Sequence, residues 1–169
     1  MRALLACASL AFFAACAADA AGRRPPPQLA GLPTSALSVE TASGTHRFQV
    51  WVAADPGSRE RGLMFVREMP ADRGMLFLFA RAQYASFWMK NTYLPLDLVF
   101  IRRDGSVSNV ARGAVPGSLE PIVSSVPVTA VLELLAGTAD RIGLRPGDRV
   151  SWPSGPAVQG DALRREGSQ

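Results

Sequence analysis

The sequence is poor in the residues that most often carry chemistry. Among 169 residues there are two cysteines, one histidine and a single lysine, Lys90. Two cysteines cannot build a four-thiolate zinc site or a disulfide framework, and one histidine cannot build a multi-histidine metal centre. No Gly-x-Ser-x-Gly nucleophile elbow occurs to recruit His46 as a catalytic base. No apolar run is long enough to span a bilayer. On these grounds no metal and no cofactor is expected. Charge is modest, at 19% of residues, with 18 basic against 14 acidic. Between Leu37 and Trp152 the two signs are interspersed, 13 basic against 11 acidic, without a basic stripe threaded by aromatics. Nucleic acid is therefore not an expected partner.

What the chain has instead is apolar bulk and many turn formers. Apolar residues make up 48%, and there are 15 glycines and 13 prolines. That composition favours a folded domain of short strands over long helices. The first 20 residues read as an export signal. Arg2 supplies the positive start, the stretch from Ala3 to Ala15 is rich in Ala, Leu and Phe, and small residues follow it. One candidate cut follows Ala18-Asp19-Ala20. The other falls before Cys16, where Phe13-Ala14-Ala15-Cys16 is similar to the lipidation motif of bacterial lipoproteins, with Phe where Leu is usual. Lipidated Cys16 would attach the protein to a membrane. Both cysteines, Cys7 and Cys16, lie in this segment, so the folded body carries no disulfide and no cysteine nucleophile. The expected location is the periplasm or cell envelope. Residues 21–36, with Pro25-Pro26-Pro27, read as an extended linker. Residues 153–169, rich in Gly, Ser and Pro, read as a mobile tail.

Residues 37–152 form the expected domain. Phe48, Val50 and Val52 alternate with Arg47, Gln49 and Trp51, the pattern of a half-buried strand. Leu37–Thr41 precedes it across a Ser43-Gly44 turn. Asp55-Pro56 starts a short helix that Gly62 ends. Met75–Phe79, Tyr84–Met89, Leu96–Arg102, Val107–Arg112, Val126–Leu134 and Arg149–Trp152 are further strands, with Arg103-Asp104-Gly105 as a hairpin turn. Thr138 is expected to cap a one-turn helix ending at Gly143. About eight short strands with one or two short helices imply a mainly β, compact, single-domain sandwich or barrel-like fold.

Three segments of this body carry a resemblance. Arg61-Gly62-Leu63-Met64-Phe65, Gly74-Met75-Leu76-Phe77 and Phe87-Trp88-Met89-Lys90-Asn91-Thr92 with Pro95-Leu96-Asp97 occur in order, followed by Leu132-Glu133, Ala136-Gly137 and Gly147-Asp148-Arg149-Val150. Together they resemble the DUF192 family, over roughly Leu37 to Trp152. The resemblance implies a compact, mostly β domain and no established activity. The loop from Gly113 to Ser125 is the part least like the family.

The densest motif suggests a site. Arginine is a fixed charge, whereas lysine loses its proton when desolvated and then serves as a base. Asp97 follows Lys90 across the Leu94-Pro95 turn. Lys90, Asn91 and Asp97 beside Trp88 would make a polar spot in an apolar cleft. With no second catalytic signature, the same residues are better read as a buried ion pair and amide that pin the turn. Arg61 is a candidate clamp for a carboxylate or phosphate, with Glu133 as its expected partner. Met64, Met69, Met75 and Met89 suit core packing better than soft-metal binding. The expected function is a non-enzymatic envelope module that binds a small ligand or a protein. The alternatives are a hydrolase or lyase using Lys90 as base with Asn91 and Asp97, and a purely structural envelope lipoprotein.

Overall fold

The computed structural model describes residues 25–153. The export signal, Cys16 and nearly all of the expected tail lie outside those residues. Nine strands follow in chain order: β1 (Thr34–Thr41), β2 (Gly44–Ala53), β3 (Arg73–Gln83), β4 (Ser86–Phe87), β5 (Leu96–Ile101), β6 (Val107–Ala114), β7 (Ile122–Val123), β8 (Val128–Leu135) and β9 (Arg149–Ser151). Two short helices, α1 (Pro56–Arg61) and α2 (Thr138–Arg141), complete the described elements, with a 3-10 turn at Pro27–Leu29. Seven strands form one sheet in the order β6-β5-β8-β3-β2-β1-β9, and β4 pairs with β7 apart from it. The mainly β expectation holds. The sheet curls into a half-barrel, and at one end its two edge strands meet through a bridge between Ser106 and Arg149.

Local sequence explains most of the boundaries. Asp55 caps α1 by accepting from the Ser58 backbone N–H at 2.9 Å, and Pro56 takes the first turn, where its missing N–H costs nothing. Gly62, at φ +50°, ends the helix. The hairpin between β5 and β6 turns at Gly105, at φ +83°. The strand expected over Tyr84–Met89 shrinks to the two residues of β4. Its neighbours bond to loops instead: Ala85 to Ser124 and Met89 to Ser118.

The strand pattern reveals a sheet covered on both faces rather than one. β5 is buried at all six positions. On β2, Phe48 and Val50 enter one apolar cluster, while Trp51 and Ala53 enter a second on the opposite face. Trp51, expected to face outward, is 3% exposed. The inner cluster fills the curl of the sheet with Leu37, Val39, Leu76, Val99, Leu132 and Leu134 among others. The outer cluster gathers Met75, Phe77, Leu98, Phe100 and Val131 from the sheet. Three connecting segments seal it with Leu63, Val66 and Met69, with Met89 and Leu94, and with Ala114 and Ile122. Phe87 meets Phe77 edge-to-face at 4.9 Å between ring centroids. Such pairs add about 0.5–1.5 kcal/mol beyond burial and fix the middle segment on the sheet. Met69, Met75 and Met89 are core residues. Leu29 is buried in the same outer cluster, so the chain docks before the expected linker ends, and β1 already begins at Thr34.

One pairing lies beyond any local signal. β2 and β3 run parallel, from Gln49 opposite Arg73 to Ala53 opposite Phe77, so the chain crosses over through α1 and the segment after it. At the start of β3, Gly74 allows a close approach to β8. A Cβ there would sit 2.5 Å from the Glu133 carbonyl oxygen and 2.8 Å from a Leu134 methyl. Gly74→Ala should therefore destabilise the protein in urea unfolding by about 1–3 kcal/mol, the usual cost of forced overpacking. A change below about 0.5 kcal/mol would show that β3 and β8 separate freely at this point.

Candidate functional site

The candidate residues fall into two groups on opposite faces of the sheet. Asp97 lies on β5, flanked by Leu96 and Leu98, which enter the outer cluster. Its own side chain therefore faces inward. It is 1% exposed. One carboxylate oxygen accepts from the Gly113 backbone N–H at 2.9 Å, the other from Ala139 N–H at 2.8 Å. The carboxylate thus ties the end of β6 to the first turn of α2. The expected cap at Thr138 is not made. The N-cap position is Gly137, no side chain of α2 caps it, and Asp97 supplies the acceptor from β5. Asp97 does not pair with Lys90 or join Trp88, because both its oxygens are engaged on the other face. It belongs to the fold.

Trp88, Lys90 and Asn91 stay together on the outer side. Trp88 is 49% exposed, and the Lys90 ammonium lies 5.0 Å from its ring centroid. Such a contact at an exposed site contributes about 0.5–1 kcal/mol. Lys90 is exposed, not desolvated as a catalytic base requires. Asn91 adopts φ +55°, and its carbonyl accepts from the Phe65 backbone N–H at 2.8 Å. Phe65 itself sits at φ +65°. These are the two non-glycine residues with positive φ among the described residues, and one hydrogen bond joins them. Asparagine tolerates that conformation, whereas a bulky aromatic residue is strained in it by about 1–3 kcal/mol.

The strain has a visible consequence. Phe65 is turned outward, 46% exposed, with its ring edge-on to Tyr93 at 6.2 Å. Tyr93 is also 46% exposed, and the Arg67 guanidinium lies 4.6 Å from its ring centroid. The segment after β6 joins the same surface. Gly117 N–H reaches the Met89 and Thr92 carbonyls, and Met89 N–H reaches Ser118. All seven large apolar side chains exposed among the described residues fall on these three covering segments. They are Phe65, then Tyr84, Trp88 and Tyr93, then Val115, Leu119 and Val123. Sequence reasoning marked Trp88, Lys90 and Asn91 but missed Phe65 and Tyr93. Both stand in or beside the motif, yet only backbone geometry shows them displayed.

Arg61 and Glu133 do not meet. Arg61 ends α1 and is exposed. Among the described residues the one ion pair is Arg112 with Asp140, at 2.7 Å. Glu133 lies on β8 opposite Met75 of β3 and Leu98 of β5, facing the outer cluster. It is 5% exposed, and no described side chain or backbone group bonds its carboxyl. Burial alone pushes that carboxyl up to about 8 from an ordinary 4.5. Glu133 is therefore a neutral acid over most of the ordinary pH range. The described residues show no cluster of three or more metal-ligating side chains.

With this geometry in view, the relatives are informative. A family model for DUF192, described as an uncharacterized ACR, matches residues 38–152. The chain belongs to that family. No curated protein matches it. A crystal structure from Sinorhizobium meliloti 1021, described as a candidate transcription regulator, is 48% identical. It aligns over 72% of this chain and 95% of its own, with a TM-score of 0.70. A protein of unknown function from Novosphingobium aromaticivorans DSM 12444 is 39% identical, over 79% of this chain and 94% of its own, with a TM-score of 0.73.

The different roles of Asp97 and Lys90 are separable by unfolding in urea. Asp97→Ala strands two backbone N–H groups at about 1–3 kcal/mol each, so a total loss of about 2–6 kcal/mol is expected. Lys90→Ala removes one exposed contact and should change stability by less than about 1 kcal/mol. Equal losses in the two variants would place both residues in one buried structural pair.

Proposed function

We propose that the protein is an exported, non-enzymatic binding module whose three covering segments present an aromatic surface to a protein partner. The observation that carries this reading is Phe65, held in a strained backbone conformation with its ring in solvent. A side chain that only stabilised the fold would be turned inward, and strain kept against that tendency points to use. Phe65, Trp88 and Tyr93, with Arg67 and Lys90 against two of the rings, are the residue types that dominate protein interfaces. Val115 and Leu119 extend the exposed apolar area. Export is supported by the sequence of the first 20 residues, with Cys16 as the residue that would carry lipid.

The enzymatic alternative loses its geometric basis. Its three residues need to converge, and Asp97 is spent on two backbone amides across the sheet. A purely structural role leaves the exposed rings without purpose. The regulator description of the Sinorhizobium protein is not adopted for this chain, because its interleaved charges offer no track for phosphates.

A photo-crosslinking residue placed at Tyr93 in cells tests the proposal. It should yield a discrete protein adduct in the envelope fraction, while the same residue at Arg103, on the hairpin turn away from these segments, should yield none. The Trp88→Ala/Tyr93→Ala pair should unfold within about 1 kcal/mol of wild type, and with the crosslinker moved to Leu119 it should lose the adduct. Equal labelling from Tyr93 and Arg103, or none from either, would refute a docking role for this surface.

A further inference from the structure

Two of the exposed rings on the covering segments do not stand alone. The Arg67 guanidinium lies 4.6 Å from the Tyr93 ring centroid, and the Lys90 ammonium lies 5.0 Å from that of Trp88. One backbone link joins the two pairs. Lys90 precedes Asn91, whose carbonyl accepts from the Phe65 N–H, and the Phe65 ring meets that of Tyr93 at 6.2 Å. Both cations therefore belong to one patch. A ring against a cation restricts a long side chain that would otherwise sample many rotamers. The stacked guanidinium keeps its edge, with its N–H donors, open to solvent.

The patch is rich in donors and poor in acceptors. Arginines elsewhere are satisfied within the protein: Arg59 by the Ala54 and Leu78 carbonyls, Arg102 by that of Val107, Arg112 by Asp140 and the Leu144 carbonyl. Arg67 and Lys90 find no such acceptor among the described residues, where the one ion pair is Arg112 with Asp140. Glu68, Asp72 and Glu120 are exposed on the same covering segments, yet they pair with neither cation. The Asn91 side-chain amide reaches only the Met64 thioether, at 4.0 Å, a weak acceptor. This arrangement decides the charge of what docks. An uncharged partner would strip water from two cations and return no acceptor, which is unfavourable. A basic partner would add like-charge repulsion. An ionised carboxylate is acceptor-only and matches a guanidinium edge with two parallel hydrogen bonds.

We propose that this patch takes an acidic peptide segment of its protein partner. One carboxylate of the segment accepts from the Arg67 guanidinium and another from the Lys90 ammonium, while its apolar side chains lie on the exposed rings. Binding forms no covalent bond. The proposal rests on the docking role of the aromatic surface and adds the charge and chemistry of the segment that docks. The rings supply contact area, and the two cations they hold select acidic partners over neutral and basic ones.

Panning a random dodecapeptide display library on the immobilised full chain at neutral pH tests the proposal. Peptides retained by wild type and lost by the Trp88→Ala/Tyr93→Ala pair report on this surface. Among them Asp and Glu together should be enriched at least about twofold over the unselected library, with Lys and Arg depleted. A synthetic copy of the most enriched peptide should bind the Arg67→Gln/Lys90→Gln pair at least about tenfold more weakly than wild type. Replacing its Asp and Glu by Asn and Gln should weaken it as much, and its affinity for wild type should fall as salt is raised. The Arg67→Gln/Lys90→Gln pair should melt as wild type does, since both side chains are exposed. Ring-dependent peptides without an acidic excess, or equal binding by wild type and the Arg67→Gln/Lys90→Gln pair, would overturn the acidic partner and leave the docking surface standing. If no retained peptide depends on the rings, the docking surface fails and this proposal fails with it.

Discussion

A single sheet that must be buried on both faces is the constraint on which the rest of this structure depends. The inner face is covered by the curl of the sheet itself, with α2 and the loop after it contributing Ala139, Ile142 and Leu144. Among the described elements the outer face is covered by no long helix and by no sheet beyond the short β4–β7 pair. Irregular segments do that work, and each inserts some apolar residues while leaving others in water. Leu63, Val66 and Met69 go in while Phe65 stays out; Met89 and Leu94 go in while Trp88 and Tyr93 stay out. The segments also satisfy one another's backbone groups, as Phe65 with Asn91 and Met89 with Ser118 show. The exposed aromatic surface is thus a product of how the core is closed, and the same hydrogen bonds join the segments that carry it.

Two buried carboxyls on adjacent strands illustrate how burial alone does not assign a role. Asp97 faces inward and accepts from two backbone N–H groups, which join β6 to α2. Glu133 faces outward on the neighbouring strand and accepts none from the described residues. Accessibility hardly separates them, at 1% and 5%. Their partners do. An acid with both oxygens engaged is a structural tie, whereas one left alone in apolar surroundings is held there as the uncharged acid.

The elements that follow local rules were legible in the residues. The Asp55-Pro56 start and Gly62 stop of α1, the Gly105 turn, and the continuous apolar runs of β5 and β8 all follow from backbone preferences and periodicity. What depends on distant parts of the chain was not. The parallel β2–β3 pairing and its crossover leave no mark in either strand. Alternation on β2 suggested one buried face, because nothing local says that another segment will cover Trp51. The proximity of Asp97 to Lys90 in sequence suggested a pair, but Leu94 and Pro95 lead into a strand that turns Asp97 to the other side. Family membership follows from motif order. The strained Phe65 could not have been inferred, since φ is set by the bond to Asn91.

An uncharged carboxyl held in the sheet at Glu133, without a partner among the described residues, leaves its signature in the pH dependence of unfolding. Its folded value is about 8 against an ordinary 4.5, so the folded state keeps a proton that the unfolded chain has lost between those limits. The cost of keeping Glu133 buried is then smallest below about pH 4.5, grows as pH rises, and levels off above about pH 8. Urea unfolding of wild type and Glu133→Gln, measured side by side, isolates it from the other carboxylates. Wild-type stability minus that of Glu133→Gln should fall by a few kcal/mol across this window, about 1.4 per unit of displacement. A difference that stays flat, or that rises with pH, would mean that Glu133 is charged and partnered in the folded protein.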